Sequence, residues 1–108
     1  MISIYKENED GFEVYSIQYN LGDVEGFVKF YRFEWSRSTI INKLIRNHFT
    51  QDQVEAIINN HFLNISEWLD KKFKGEEVEF EDREYDELQN WRKQCKVIAD
   101  EALTKYPI

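Results

Sequence analysis

The chain has 108 residues, of which 16% are aromatic, with one cysteine and a formal net charge of −7. That length suits one domain burying roughly 65% of the surface its unfolded chain exposes, and a lone cysteine excludes an intramolecular disulfide. No stretch approaches the ~18 apolar residues of a membrane span, and the opening MISIYKENEDGF has no cationic head leading into an apolar run; a cytoplasmic globular domain without membrane attachment is expected.

The charge is concentrated. Between Glu76 and Glu87 lie eight of the 21 acids and one of the 14 bases, so this window carries the whole −7 and the remainder is neutral. Replacing phosphate counterions needs clustered cations. No basic stripe is present, and direct nucleic-acid binding is not expected.

In chain order, the first 35 residues read as β-structure. Asp10-Gly11 and Asn20-Leu21-Gly22-Asp23 are turn signals on either side of FEVYSIQY, which is rich in aromatic and β-branched residues. They predict a three-stranded antiparallel meander over about 2–6, 12–20 and 26–35. In GFVKFYRFEW the alternation sets Phe27, Tyr31, Phe33 and Trp35 on one side, and Val28, Phe30, Arg32 and Glu34 on the other. So small a sheet needs a layer packed on it, and rings on both of its faces leave one of them as a possible contact patch.

From Ser36 onward the spacing becomes helical. Ile40, Ile41, Leu44 and Ile45 form one face of a helix capped by Ser36 or Ser38. The triplet Asn-His-Phe then occurs at 47–49 and again at 60–62, and contains both histidines. After the first, Thr50 and Gln53 have capping-box spacing, while Phe49 and Val54 occupy the staple positions. After the second, Asn64 and Glu67, with Leu63 and Trp68, repeat the arrangement. The repeat predicts a short helix from 51 to about 60 and another from 65 to the Gly75 C-cap. His48 and His61 then stand at opposite ends of a helix about ten residues long, roughly 15 Å apart, too far to share a zinc ion. No metal and no cofactor are expected.

The last helix is the clearest element. Tyr85, Leu88, Trp91, Cys95, Ile98, Ala102 and Tyr106 recur at intervals of 3, 3, 4, 3, 4 and 4, a continuous apolar stripe ended by Pro107. Acids at its start and Lys105 at its end complement the macrodipole. Cys95 lies on that stripe with no histidine nearby in sequence, so it reads as a packed thiol rather than a nucleophile.

Catalytic signatures are absent: there is no phosphate-binding glycine loop, no zinc-ligand cluster and no nucleophile elbow. A helix–turn–helix reading of 38–48 and 51–60 fails on charge. Its recognition helix, QDQVEAIINN, carries Asp52 and Glu55 and no cation.

One resemblance is present. Leu44-Ile45-Arg46 followed by Phe49-Thr50, then Ala56 to Asn59, then Trp91-Arg92 with Lys96 and Ala99, is similar to small uncharacterised proteins of gut Bacteroides-type bacteria and their prophages. It covers the C-terminal two-thirds and implies no catalytic or binding residues.

The expectation is a single α+β domain: a small N-terminal antiparallel meander (1–35), then a helical part (36–108) made of a helical hairpin, a short helix and a long C-terminal helix. The expected function is non-catalytic protein interaction, with a partner protein or by self-association. Two surfaces are candidates. One is the aromatic sheet residues Phe30, Tyr31, Phe33 and Trp35. The other is the acidic row Glu76, Glu77, Glu79, Glu81 and Asp82, which suits either a solvated helix start or an inhibitor that competes with nucleic acid for a basic partner.

Overall fold

The computed structural model describes residues 1–108 and has the expected α+β architecture, an N-terminal antiparallel sheet followed by three helices. Strands β1 (Ile2–Glu9), β2 (Phe12–Asn20) and β3 (Glu25–Tyr31) lie in the order β1-β2-β3. A 3₁₀ turn at Arg32–Glu34 leads to α1 (Arg37–His48), α2 (Gln51–Phe73) and α3 (Arg83–Lys105). The chain forms two compact units: Met1–His48 with Trp91–Ile108, and Phe49–Asn90.

In the first unit, Asp10 and Gly11 both have positive φ (51° and 83°), the requirement of the two-residue turn that matches strand twist. That turn sets Glu9 opposite Phe12 and Ile4 opposite Ile17, and the second pairing sets Tyr15 opposite Phe30 and Tyr19 opposite Gly26. One sheet face therefore presents Ile4, Tyr15, Ile17, Tyr19, Val28 and Phe30, all buried. Tyr19 lies over Gly26: a Cβ there would sit 2.7 Å from the Tyr19 ring and 2.5 Å from Asn47 Nδ2.

The core of this unit is built from rings whose polar tips reach backbone or amide partners. Trp35 stacks on Tyr15 at 4.4 Å and donates its indole N–H to the Tyr106 carbonyl at 2.7 Å. Trp91 donates to the Leu44 carbonyl at 3.2 Å, and the Tyr19 hydroxyl accepts from Asn47 at 2.7 Å. Such partners are what allows Trp and Tyr to be buried at little polar cost. Ile40 and Leu44 of α1, and Cys95, Ile98, Ala99 and Ala102 of α3, complete the core. Ser36 is the N-cap of α1: its carbonyl accepts from the Ile40 amide and its hydroxyl from Thr39.

Strand β3 is shorter than the alternation implied. It ends at Tyr31, where Glu34 turns back to accept the Tyr31 amide at 3.1 Å. The 3₁₀ turn breaks the period of two, so Trp35 enters the core while Phe33 stays 87% exposed. The two do not share a face.

In the second unit, Thr50 caps α2 as expected, its hydroxyl accepting from the Gln53 amide and its own amide donating to the Gln53 side chain. The second capping site does not exist. Helix α2 runs unbroken through Asn59–Asn64: nothing between Gln51 and Gly75 is a glycine or proline, and the Asn64 side chain bonds Asp82 instead of capping a new helix. It stops at Gly75 (φ 80°), where the Glu76 amide reaches the Lys71 carbonyl and the Gly75 amide reaches Lys72, a Schellman closure. Residues 74–82 carry no helix or strand, and α3 begins with Asp82 as its N-cap.

Candidate functional site

The proposed sheet residues divide. Phe30 (1% exposed) and Trp35 (2% exposed) belong to the core and are unavailable to a partner. The reason lies in pairing: Phe30 faces inward beside Tyr15, and the 3₁₀ turn carries Trp35 inward. Tyr31 and Phe33 are exposed and stack on one another, with ring centroids 5.9 Å apart and planes 4° from parallel.

A third ring joins them. Phe12, 64% exposed, lies on the same sheet face as Val14, whose register partner is Tyr31. Phe12, Tyr31 and Phe33, with Glu13 and Arg32, line a mainly apolar depression of about 380 Å³. Sequence reading missed Phe12 because its membership depends on strand register. The available signal was parity, since Phe12 and Val14 must share a face.

Each edge strand of the sheet has backbone groups held by side chains from outside the sheet. Ile4 lies between hydrogen-bonded pairs of β1, so its carbonyl points outward, and Lys105 of α3 donates to it. On the opposite edge Lys43 of α1 donates to the Lys29 carbonyl at 3.1 Å, and Glu34 takes the Tyr31 amide. Glu34 also pairs with Lys43 at 2.7 Å; the ammonium and the amide together hold its carboxyl below the usual range. A strand-adding partner would have to displace these groups.

The acidic segment also divides, along its own period of two. The Val78 carbonyl, the Phe80 ring and the Asp82 carboxyl meet Trp68, His61 and Asn64, spaced 3 and 4 on one face of α2. Trp68 donates its indole N–H to the Val78 carbonyl at 3.0 Å, and Phe80 lies edge-on to Trp68 and His61, 5.7 Å from each. Asp82 Oδ2 accepts from His61 Nδ1 at 2.9 Å and Asn64 at 3.1 Å, while Oδ1 accepts from the Tyr85 amide. Asp82 is thus a structural clasp, with its side chain 8% exposed, and is removed from the candidate partner-binding set. Glu77, Glu79 and Glu81, and Glu76 before them, are exposed.

The two histidines have separate fates. His48 ends α1 and meets the Trp91 ring edge-on at 5.7 Å. His61 is in mid-helix, stacked on Tyr85 at 3.5 Å and hydrogen-bonded to Asp82. The second Asn-His-Phe is therefore not a helix boundary. Its histidine, with Asn64 one turn on, grips the segment that follows the helix. Cys95 is fully buried, and desolvation pushes its thiol up to about 12, far from the thiolate a nucleophile requires.

No helix is long and apolar enough to cross a membrane. Comparison of the chain with protein-family models, with curated proteins and with solved structures finds no match.

Proposed function

We propose that the chain is a non-catalytic, cytoplasmic protein-interaction module that binds its partner through the depression formed by Phe12, Tyr31 and Phe33. The supporting observation is three neighbouring exposed rings, Phe12 and Tyr31 on the sheet and Phe33 in the 3₁₀ turn, around one apolar depression. An apolar partner side chain seated there would remove exposed ring surface from water, at about 25 cal/mol per Å². Arg32 and Glu13 at the rim supply polar contacts that orient it. The packed His61–Asp82 pair and the buried Cys95 support a non-catalytic role, since neither offers an activated group to a substrate.

The test is capture from lysate with wild type and with a Tyr31→Ser, Phe33→Ser double variant. A partner retained in high salt and lost with the double variant supports the proposal; one bound equally by both proteins sinks it.

A second reading rests on a different observation. Glu77, Glu79 and Glu81 are exposed on alternate residues of a segment held against α2. In an extended chain this spaces them roughly 6–7 Å apart, a row suited to a basic protein whose cations serve a nucleic acid. Under this reading capture would disappear at about 0.5 M salt, where the Debye length is roughly 4 Å. It would also disappear when the three glutamates become glutamines.

A further inference from the structure

Helix α2 carries two stripes. The first, Val54, Ile57, His61, Asn64 and Trp68, is occupied by buried contacts and by the clasp. The second is Ile58, Phe62, Ile65 and Leu69, spaced 4, 3 and 4, the alternation that lets two helices mesh side by side. Phe62 is 64% and Leu69 44% exposed, with Ile58 and Ile65 half-buried. Phe73, 90% exposed, flanks the end of this row.

The same row continues by one step in each direction, to Glu55 and to Lys72, and both are exposed. The seam therefore reads Glu55, Ile58, Phe62, Ile65, Leu69, Lys72, with intervals of 3, 4, 3, 4 and 3. It is an apolar centre with an acid at one end and a base at the other. Neither end charge takes part in an ion pair within the chain. Glu55 accepts only from the Gln51 side chain at 3.2 Å, and the Lys72 ammonium lies 5.7 Å from the Trp68 ring.

Charge complementarity identifies the occupant and its direction. If two copies of α2 meet antiparallel, each Glu55 faces Lys72 of the second copy, each Ile58 faces Leu69, and Phe62 faces Ile65. Six layers close over a span of about 25 Å, apolar in the middle and ion-paired at both ends. A parallel arrangement would set Glu55 against Glu55 and Lys72 against Lys72, an opposition that directs partner choice in such seams. We propose that α2 is a self-association element, pairing with a second copy of this chain antiparallel along Glu55–Lys72. This surface uses none of the residues in the sheet depression and stands or falls independently of it.

Sedimentation equilibrium of the full chain over a wide concentration series tests the proposal. Wild type should show a monomer–dimer equilibrium, and Phe62→Glu should be monomeric with an unchanged circular dichroism spectrum. Glu55→Lys and Lys72→Glu should each weaken dimerisation about tenfold, because two-fold symmetry counts every change twice. The double reversal should restore it to within about threefold, since only antiparallel pairing reunites opposite charges. The proposal is overturned by a wild type that remains monomeric throughout, by a dimer indifferent to Phe62→Glu, or by a double reversal no better than the single ones.

Discussion

The two units reach order by different means. The Met1–His48 and Trp91–Ile108 unit has an aromatic and aliphatic core in which Trp35, Trp91 and Tyr19 each bond a residue at least 28 positions away. The Phe49–Asn90 unit buries only Val54, Ile57 and Leu88, and its loop is held by polar groups: Asp82, His61, Asn64 and the Trp68 indole. Apolar burial is non-directional and scales with area, whereas a clasp of charged hydrogen bonds depends on protonation and geometry. The first unit should therefore be sensitive to volume and the second to charge.

The sharpest test of that contrast is volume removed from the first unit. Trp35→Ala loses the stack on Tyr15 and leaves the Tyr106 carbonyl without its donor; it should cost about 4 kcal/mol, a large part of a typical domain's stability. Urea unfolding followed by ring fluorescence measures it, and a loss below about 1 kcal/mol would contradict the packing described.

Charge removed from the second unit should matter less but carry a pH signature. Asp82→Asn should cost about 1–3 kcal/mol. Burial alone would raise the Asp82 carboxyl, but the hydrogen bonds from His61, Asn64 and the Tyr85 amide more than offset it, and its pKa is lowered in the folded chain. The folded value is the lower of the two. The stabilisation is therefore complete above the unfolded value, near ~4, and is lost as pH falls through the folded one. Unfolding curves across the acid range should show this loss in wild type and its absence in the variant.

Smaller effects refine the comparison. Thr50→Ala removes one capping bond and should cost about 1 kcal/mol, visible as a shifted urea midpoint with unchanged slope. Phe33→Ser should alter stability by less than about 0.5 kcal/mol, because the ring is already in water. A larger change would mean that Phe33 packs in the fold and is not part of an open surface.

Much of the architecture was legible locally. The Asp10-Gly11 turn, the Thr50 capping box, the Gly75 stop and the stripe from Leu88 to Ala102 all follow from bonds between residues a few positions apart. Asn64 and Glu67 have the right spacing for a second cap, yet spacing does not say where the Asn64 amide will find its acceptor. It finds Asp82, 18 residues away. The alternation through Trp35 implies a strand that the Glu34 bond to the Tyr31 amide ends early, so only half of the sheet candidates are exposed.

By itself, then, the sequence determined the element types, most of their ends and the inward stripe of α3, since caps, turns and periodicity are short-range physics. Tertiary structure decided which rings are core and which are surface, which acid is a clasp and which acids face water, and that α2 is one helix. Those outcomes depend on register and on partners distant in the chain. A side chain's burial is a property of what covers it, and no local pattern encodes the cover.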